Sequence, residues 1–256
     1  MIVKPTTLAA AIERTANHLG AKIPAPVAQA MQLHTAATAA IGATAPHGAQ
    51  LVTAYLEAIE ADRDPLTDPA VIAAATADQL AERRPALAAE VDARATRRIV
   101  AATDAITKAL APGFAKVTTA LTEAHAELGD VDLNDHATIL HQRNQAPQAW
   151  AQAVDACTIV EATVHLYALL RQAAGYNDPA LPSVLRVCTT PPGWEKPKRG
   201  RPSAWELQKL GATFALADDA TLAQRLDDYH RSLTDARRTA QEAAATATKR
   251  APYATW

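Results

Sequence analysis

This chain has few of the residues that catalytic and ligand-binding motifs require. Its 256 residues include nine glycines and two cysteines. No stretch matches a glycine-rich phosphate loop, a nucleophile elbow or a zinc-protease motif. Cys157 and Cys188 form neither a CxxC pair nor a metal-ligand spacing, so we expect free thiols in a reducing compartment. The sequence therefore predicts a protein that is not an enzyme and has no cofactor, no catalytic residue and no metal site.

Long apolar runs and a large excess of one charge are also missing. The net charge of −2 argues against a protein that coats nucleic acid with its whole surface. Glu13 and Arg14 interrupt the first apolar stretch, which is unlike a signal peptide, and no run approaches the ~20 apolar residues of a membrane span. We expect a cytoplasmic protein, or one assembled into a particle within the cell, without membrane contact.

Aromatic residues are scarce, and alanine is abundant. Aromatic side chains make up 4% of the chain, whereas about a quarter of the residues are alanine. Alanine has the highest helix propensity but buries little area, which favours thin helical bundles over a thick core. The composition therefore predicts an all-α fold, an Ala-rich bundle of long helices with coiled-coil-like packing and one long proline-rich arm.

Two stretches repeat small or apolar residues at alternating four- and three-residue steps, which keeps one stripe of a helix on a single side. We expect both stripes to be packing surfaces that bind other copies of the chain or a partner. The first stripe is Leu110, Phe114, Val117, Leu121, Ala124 and Leu128. The second is Leu222, Leu226, Tyr229, Leu233, Ala236, Ala240, Ala243 and Ala247.

The pattern of prolines, glycines and apolar residues divides the chain into four regions. Helical hairpins are predicted over residues 1–64. The third helix of this region carries Leu51, Tyr55 and Ile59 at four-residue steps. Residues 65–174 are predicted to form long helices that start at the capping pair Asp68-Pro69 and are kinked or broken at Pro85 and Pro112, with a buried central helix from residue 146. Residues 175–203 form a proline-rich basic arm in which too many prolines occur for a helix. Residues 204–256 contain a short helix, a final helix begun by Asp218-Asp219, and an aromatic tail.

Basic residues are concentrated in the arm. Residues 171–209 contain seven Lys or Arg and three Asp or Glu, a local net charge of +4. The run Lys196-Pro-Lys198-Arg199-Gly-Arg201-Pro resembles the AT-hook, a short motif that binds the minor groove of DNA. The resemblance implies that Arg199 and Arg201 enter the groove while Lys196 and Lys198 contact phosphates. A solvated basic linker, or a loop that pairs with an acidic partner surface, explains the same residues.

Large side chains near the arm and in the tail are candidate anchors at an interface. Trp194 and Trp205 flank the basic run, and tryptophan is enriched at interaction hot spots. The tail carries Tyr253 and Trp256, which could dock on a neighbouring subunit or fold back on the bundle. With these four residues we group Leu222, Leu226, Tyr229 and Leu233 of the final stripe as candidate interface residues.

Two further patterns contain the residue types that acid–base or calcium-binding sites use. Glu161 and His165 lie four residues apart on the central helix and could form a buried acid–base pair, which is more often structural than catalytic. The run from Asp130 begins like an EF-hand loop, but Asp135 replaces the required glycine and His141 the bidentate glutamate. The calcium loop is therefore excluded.

Three hypotheses of function follow. The first is a non-enzymatic structural or assembly protein that self-associates or binds a partner through helical stripes, for example a phage-type virion, neck or scaffolding component, or a helical adaptor. The second is a DNA-binding regulatory protein that contacts DNA through Lys196 to Pro202. The third is an enzyme with its site around Glu161 and His165.

Overall fold

The computed structural model describes residues 3–43, 48–141, 146–177, 180–189 and 203–250. This part of the chain is all-α, as predicted, and its only β-type pairing is one bridge between Cys188 and Phe214. The helices are α1 Pro5–His18, α2 Ala25–Ala43, α3 Gly48–Glu60, α4 Pro69–Ala101, α5 Thr103–Leu128, α6 His136–His141, α7 Ala146–Ala173, α8 Ala180–Val187, α9 Ala204–Lys209 and α10 Asp219–Arg250.

Short polar side chains begin several helices at the predicted positions. Asp68 accepts a hydrogen bond from the Ala70 amide at 2.8 Å where α4 begins. Asp218 accepts one from the Thr221 amide at 2.8 Å at the start of α10. Such capping satisfies amides that have no partner within the helix.

Pro85 and Pro112, where the sequence predicts kinks or breaks, do not break their helices. Helix α4 continues through Pro85 over 33 residues, and α5 continues through Pro112 over 26 residues. Each proline removes one backbone hydrogen bond of the many in its helix, so helices of this length tolerate the loss. The break between α4 and α5 lies instead at Ala102, although alanine does not disfavour a helix.

The chain divides into two compact units. The first comprises Met1–Ala9 and Ala25–Ala101, in which α2 and α3 each pack on α4. His34 of α2 and Asp92 of α4 are joined by a 2.7 Å hydrogen bond. The unit is thin, because α4 buries only Val71, Ala95 and Ile99 among its described side chains.

The second unit, Ala10–Pro24 and Ala102–Trp256, is organised around α7. Helices α5, α8 and α9 pack on α7, and the predicted central position of this helix is confirmed. Helix α7 is also the one described helix long and apolar enough to cross a membrane by length and composition, with 61% of its most apolar window buried. A mostly buried core helix meets the same criterion, so the absence of membrane contact stays a prediction.

The start of the expected arm is helical, contrary to the prediction that prolines exclude a helix there. Helix α8 spans Ala180–Val187 and buries Ser183 through Val187. Its proline, Pro182, lies in the first turn, where the missing amide hydrogen has no partner to lose. Burial of apolar side chains against α7 stabilises the remaining turns of α8.

The stripe of α5 is buried within its own unit, where α7 covers it in place of another chain, whereas the stripe of α10 is buried only at its beginning. Leu110, Phe114 and Leu121 are fully buried. On α10, Leu222 and Tyr229 are buried within the unit, and Leu226 and Leu233 are half-buried. Farther along, Ala236, Ala240 and Ala243 are exposed. Helix α10 packs on the short α8, so the first half of its stripe has a partner within the same chain.

Candidate functional site

Helix α3 presents a row of large apolar side chains to solvent. The row, here called the α3 stripe, consists of Val52, Tyr55, Leu56 and Ile59. Their exposed fractions are 60%, 43%, 53% and 52%. Contiguous exposed apolar groups of this size on a folded protein mark interaction sites rather than random surface.

The spacing of the stripe places its four members on one side of α3. Successive residues turn by ~100°, so positions 52, 55, 56 and 59 fall within an arc of about 100°. Ala58 is fully buried and faces the rest of the first unit. Thr53, Glu57 and Glu60 occupy a third, polar face. Helix α3 therefore has an apolar surface wider than its contact with α4 covers.

A groove runs beside the stripe. It has a volume of about 380 Å³ and is lined by Leu51, Val52, Tyr55, Leu56 and Val71. Every lining residue is apolar, and no charged group of the described chain lies in its wall. The connection to α4 adds Leu66, which is 80% exposed. The groove and the stripe form one apolar surface.

The charges of α3 are placed unfavourably for an isolated helix. Its first turn has no acidic residue and its last turn has no basic residue. Glu57 and Glu60 lie instead near the carboxyl end, where the helix dipole repels negative charge. Beyond that end, the Arg63 guanidinium forms an ion pair with the buried Asp68 carboxylate. The Arg63 Nη1 and Asp68 Oδ2 atoms are 3.0 Å apart but are not aligned as a hydrogen bond. The carboxyl end of α3 is thus acidic.

Two tryptophans of the second unit form hydrogen bonds to the turn between α5 and α6 and so stabilise it. Trp205 Nε1 donates to the Val131 carbonyl at 2.7 Å, and Trp150 Nε1 donates to the Leu133 carbonyl at 2.8 Å. A histidine, His125, packs edge-on against Trp205 with ring centres 5.3 Å apart. Both tryptophans therefore have a structural role.

A polar cavity of about 570 Å³ lies beside these tryptophans. Asp132 accepts a hydrogen bond from the Asn134 amide at 2.9 Å, and Glu206 accepts one from the Ser203 amide at 2.8 Å. Asp130 contacts His125 at 3.1 Å. These three carboxylates therefore stabilise turns or pair with neighbours within the second unit.

Glu161 and His165 do not form the buried pair that the third hypothesis requires. Both side chains are exposed on α7. A Glu161 carboxylate oxygen lies 3.5 Å from the Ala204 amide nitrogen, at the start of α9. In the described ranges, no group of three or more His, Cys, Asp or Glu side chains could hold a metal ion.

A buried arginine cluster, which the sequence did not indicate, connects α8 to α10. Arg186 is 5% exposed, forms an ion pair with Asp219 and lies 5.3 Å from the centre of the Tyr167 ring. Arg225 donates to the Leu185 carbonyl at 2.8 Å, and burial lowers the pKa of its guanidinium. These groups are satisfied internally and stabilise the fold.

The two cysteines are free and buried, as expected from their spacing. Burial raises the pKa of the Cys157 thiol to about 12, with a further contribution from the Glu161 charge. Burial likewise raises the pKa of Cys188 to about 12. Neither thiol has the low pKa of a nucleophile.

The candidate residues predicted from the sequence differ in whether the structure describes them and in how deeply they are buried. Lys196, Lys198, Arg199 and Arg201 lie outside the described residues, as do Trp194, Tyr253 and Trp256. Trp205, Leu222 and Tyr229 are buried within the second unit. Leu226 and Leu233 are half-buried.

The α3 stripe was only partly visible in the sequence. The row Leu51, Tyr55 and Ile59 included two of its members, but a four-residue step alone does not distinguish an inward from an outward face. The three- and four-residue steps through Val52 and Leu56 could have suggested a second apolar face.

Comparison of the chain with protein-family models, with curated proteins and with solved structures finds no match.

Proposed function

We propose that this chain is a non-enzymatic structural or assembly protein that acts by association, with other copies of itself or with a protein partner. The observation that supports this proposal is the α3 stripe, in which four large apolar side chains on one helix face are each at least 43% exposed. Removing such groups from water is favourable by roughly 25 cal/mol per Å². This free energy is gained when association buries the α3 stripe, and it is not gained in a monomer.

The thinness of the first unit supports the same proposal. Nine of the thirteen large apolar side chains that are exposed in the described part of the chain lie between residues 33 and 87. An Ala-rich helix layer completes its hydrophobic core most directly by packing against another protein.

The solution mass tests this function. Light scattering across a concentration series is expected to show association of the wild-type chain. Val52→Asp places a charge within the α3 stripe and should shift association to at least tenfold higher concentration, because the carboxylate would lose water on binding. Absorbance at 260 and 280 nm, recorded together with the mass, reports any bound nucleic acid.

Thr53→Asp is the matched control. It introduces the same side chain at the next position, in the same turn of α3 but on the polar face, and should leave association unchanged. A monomer at every concentration contradicts association with other copies and leaves a protein partner as the occupant of the stripe. Equal weakening by both substitutions contradicts the α3 stripe as the surface that associates. Nucleic acid that accompanies the protein and is lost at high salt would instead favour DNA binding through the basic run.

A further inference from the structure

The α3 stripe of one chain is complementary to the same stripe of a second chain when the two α3 helices run in opposite directions. Val52 and Ile59 lie at its ends, and Tyr55 and Leu56 lie at its centre. Reversing the helix about a point between Tyr55 and Leu56 exchanges the β-branched Val52 with the β-branched Ile59. A twofold axis through this point would therefore match apolar groups of similar shape along the whole stripe.

The charge distribution distinguishes the two possible directions. In a parallel pair, the two acidic carboxyl ends with Glu57 and Glu60 would lie side by side and repel each other. In an antiparallel pair, each acidic end would lie next to the amino end of the other α3, whose first turn carries no acidic residue. The positive end of the helix dipole attracts negative charge, so the antiparallel arrangement relieves the unfavourable charge placement within each α3.

We propose that the occupant of the α3 stripe is a second copy of this chain, with the two α3 helices packed antiparallel about a twofold axis between Tyr55 and Leu56. This inference rests on the proposed function and specifies its partner. The stripe and its groove then become the centre of an isologous interface, with the acidic carboxyl ends at opposite edges.

Engineered disulfides test the direction of packing. Antiparallel packing places Val52 of one copy opposite Ile59 of the other. The two Val52 positions are then ~10 Å apart along the helix axes, beyond the ~7 Å between Cα atoms that a disulfide can span. Oxidation in air of a mixture of the Val52→Cys and Ile59→Cys chains should yield a covalent dimer on a non-reducing gel, and either chain alone should not.

Controls for this experiment are available within the chain. The wild-type protein, oxidised in the same way, should stay uncrosslinked because Cys157 and Cys188 are buried. Thr53→Cys, on the polar face, should also stay uncrosslinked when mixed with Ile59→Cys. Light scattering of the reduced variants establishes that they still associate.

The outcomes separate the two proposals. Crosslinking of Val52→Cys with itself, without a mixed product, would show parallel packing and overturn this inference. Reduced variants that associate but form no crosslink would place the contact elsewhere, which also overturns the inference but leaves the proposed function standing. A wild-type chain that stays monomeric contradicts the self-association in the proposed function, and this inference with it.

Discussion

At the scale of single residues, Gly113 determines how closely two segments of the second unit approach. A Cβ atom at this position would lie 2.0 Å from the Leu19 carbonyl oxygen and 2.9 Å from the Leu19 carbonyl carbon. The obstructing atoms belong to the backbone, which cannot rotate away as a side-chain tip can. Gly113 is therefore required by packing, although glycine is unfavourable inside a helix.

We expect Gly113→Ala to lower the free energy of unfolding by about 1–3 kcal/mol, because the steric cost exceeds the gain in helix propensity of ~1 kcal/mol. Gly42→Ala is the matched control, since Gly42 is also helical and a Cβ there meets nothing within 4 Å. It should raise stability by about 0.4–1 kcal/mol. Urea unfolding measures both, and a stabilising Gly113→Ala would contradict the close approach.

Three buried acids of the second unit make its stability sensitive to alkaline pH. Burial raises the pKa of the Cys157 and Cys188 thiols from 9.0 to about 12 and that of the Tyr167 hydroxyl from 10.0 to about 12. Tyr167 is 1% exposed and lies 2.9 Å from the Thr107 hydroxyl. All three groups are neutral in the folded chain near neutral pH.

Stability should therefore fall as pH rises from about 9 to about 12. In this window the unfolded chain releases protons that the folded chain retains, so the unfolded state binds fewer protons and gains relative stability. The stabilising contribution is fully present below about pH 9. Urea unfolding at several pH values measures the slope, and Cys157→Ala combined with Cys188→Ala should flatten it below about pH 10. A stability that is constant over this range in the wild-type protein contradicts the buried, neutral thiols.

At the scale of elements, regular apolar patterns and capping residues allowed most helices to be predicted. Asp68 and Asp218 each mark a helix start that the structure confirms. Proline was the less reliable signal, because its effect depends on position in the helix. Pro182 falls in a first turn and Pro112 in a long, buried helix, and neither context is evident from proline content alone.

Helix α10 combines a packed beginning with an exposed continuation. Leu222→Asp, at a side chain that is 4% exposed, should lower the free energy of unfolding by about 2–5 kcal/mol, because an unpaired charge is buried against α8. Ala240→Asp, on the same stripe but exposed, should change stability by less than about 0.5 kcal/mol. Urea unfolding of both variants measures the difference. Equal effects would show that the distal stripe is packed in solution as the proximal stripe is.

At the scale of the whole molecule, apolar surface is distributed unevenly between the two units. The second unit encloses large side chains such as Phe114, Tyr167 and Leu185 around α7. The first unit has few large buried residues and exposes Val52, Leu56 and others to solvent. The second unit therefore has a core of its own, whereas the first leaves much of its apolar surface exposed, which is the surface that the proposed association would cover.

The sequence alone determined the all-α class, the buried central helix and several helix starts, because helix propensity, capping and 3.6-residue periodicity act locally along the chain. It also indicated correctly that Cys157 and Cys188 are free. Tertiary structure alone decided which apolar faces remain uncovered. The outward direction of Val52, the inward direction of Leu222 and the exposure of Glu161 depend on which helices pack together. Periodicity identifies an apolar face, but only the packed neighbours determine whether that face is buried within the chain or exposed to another protein.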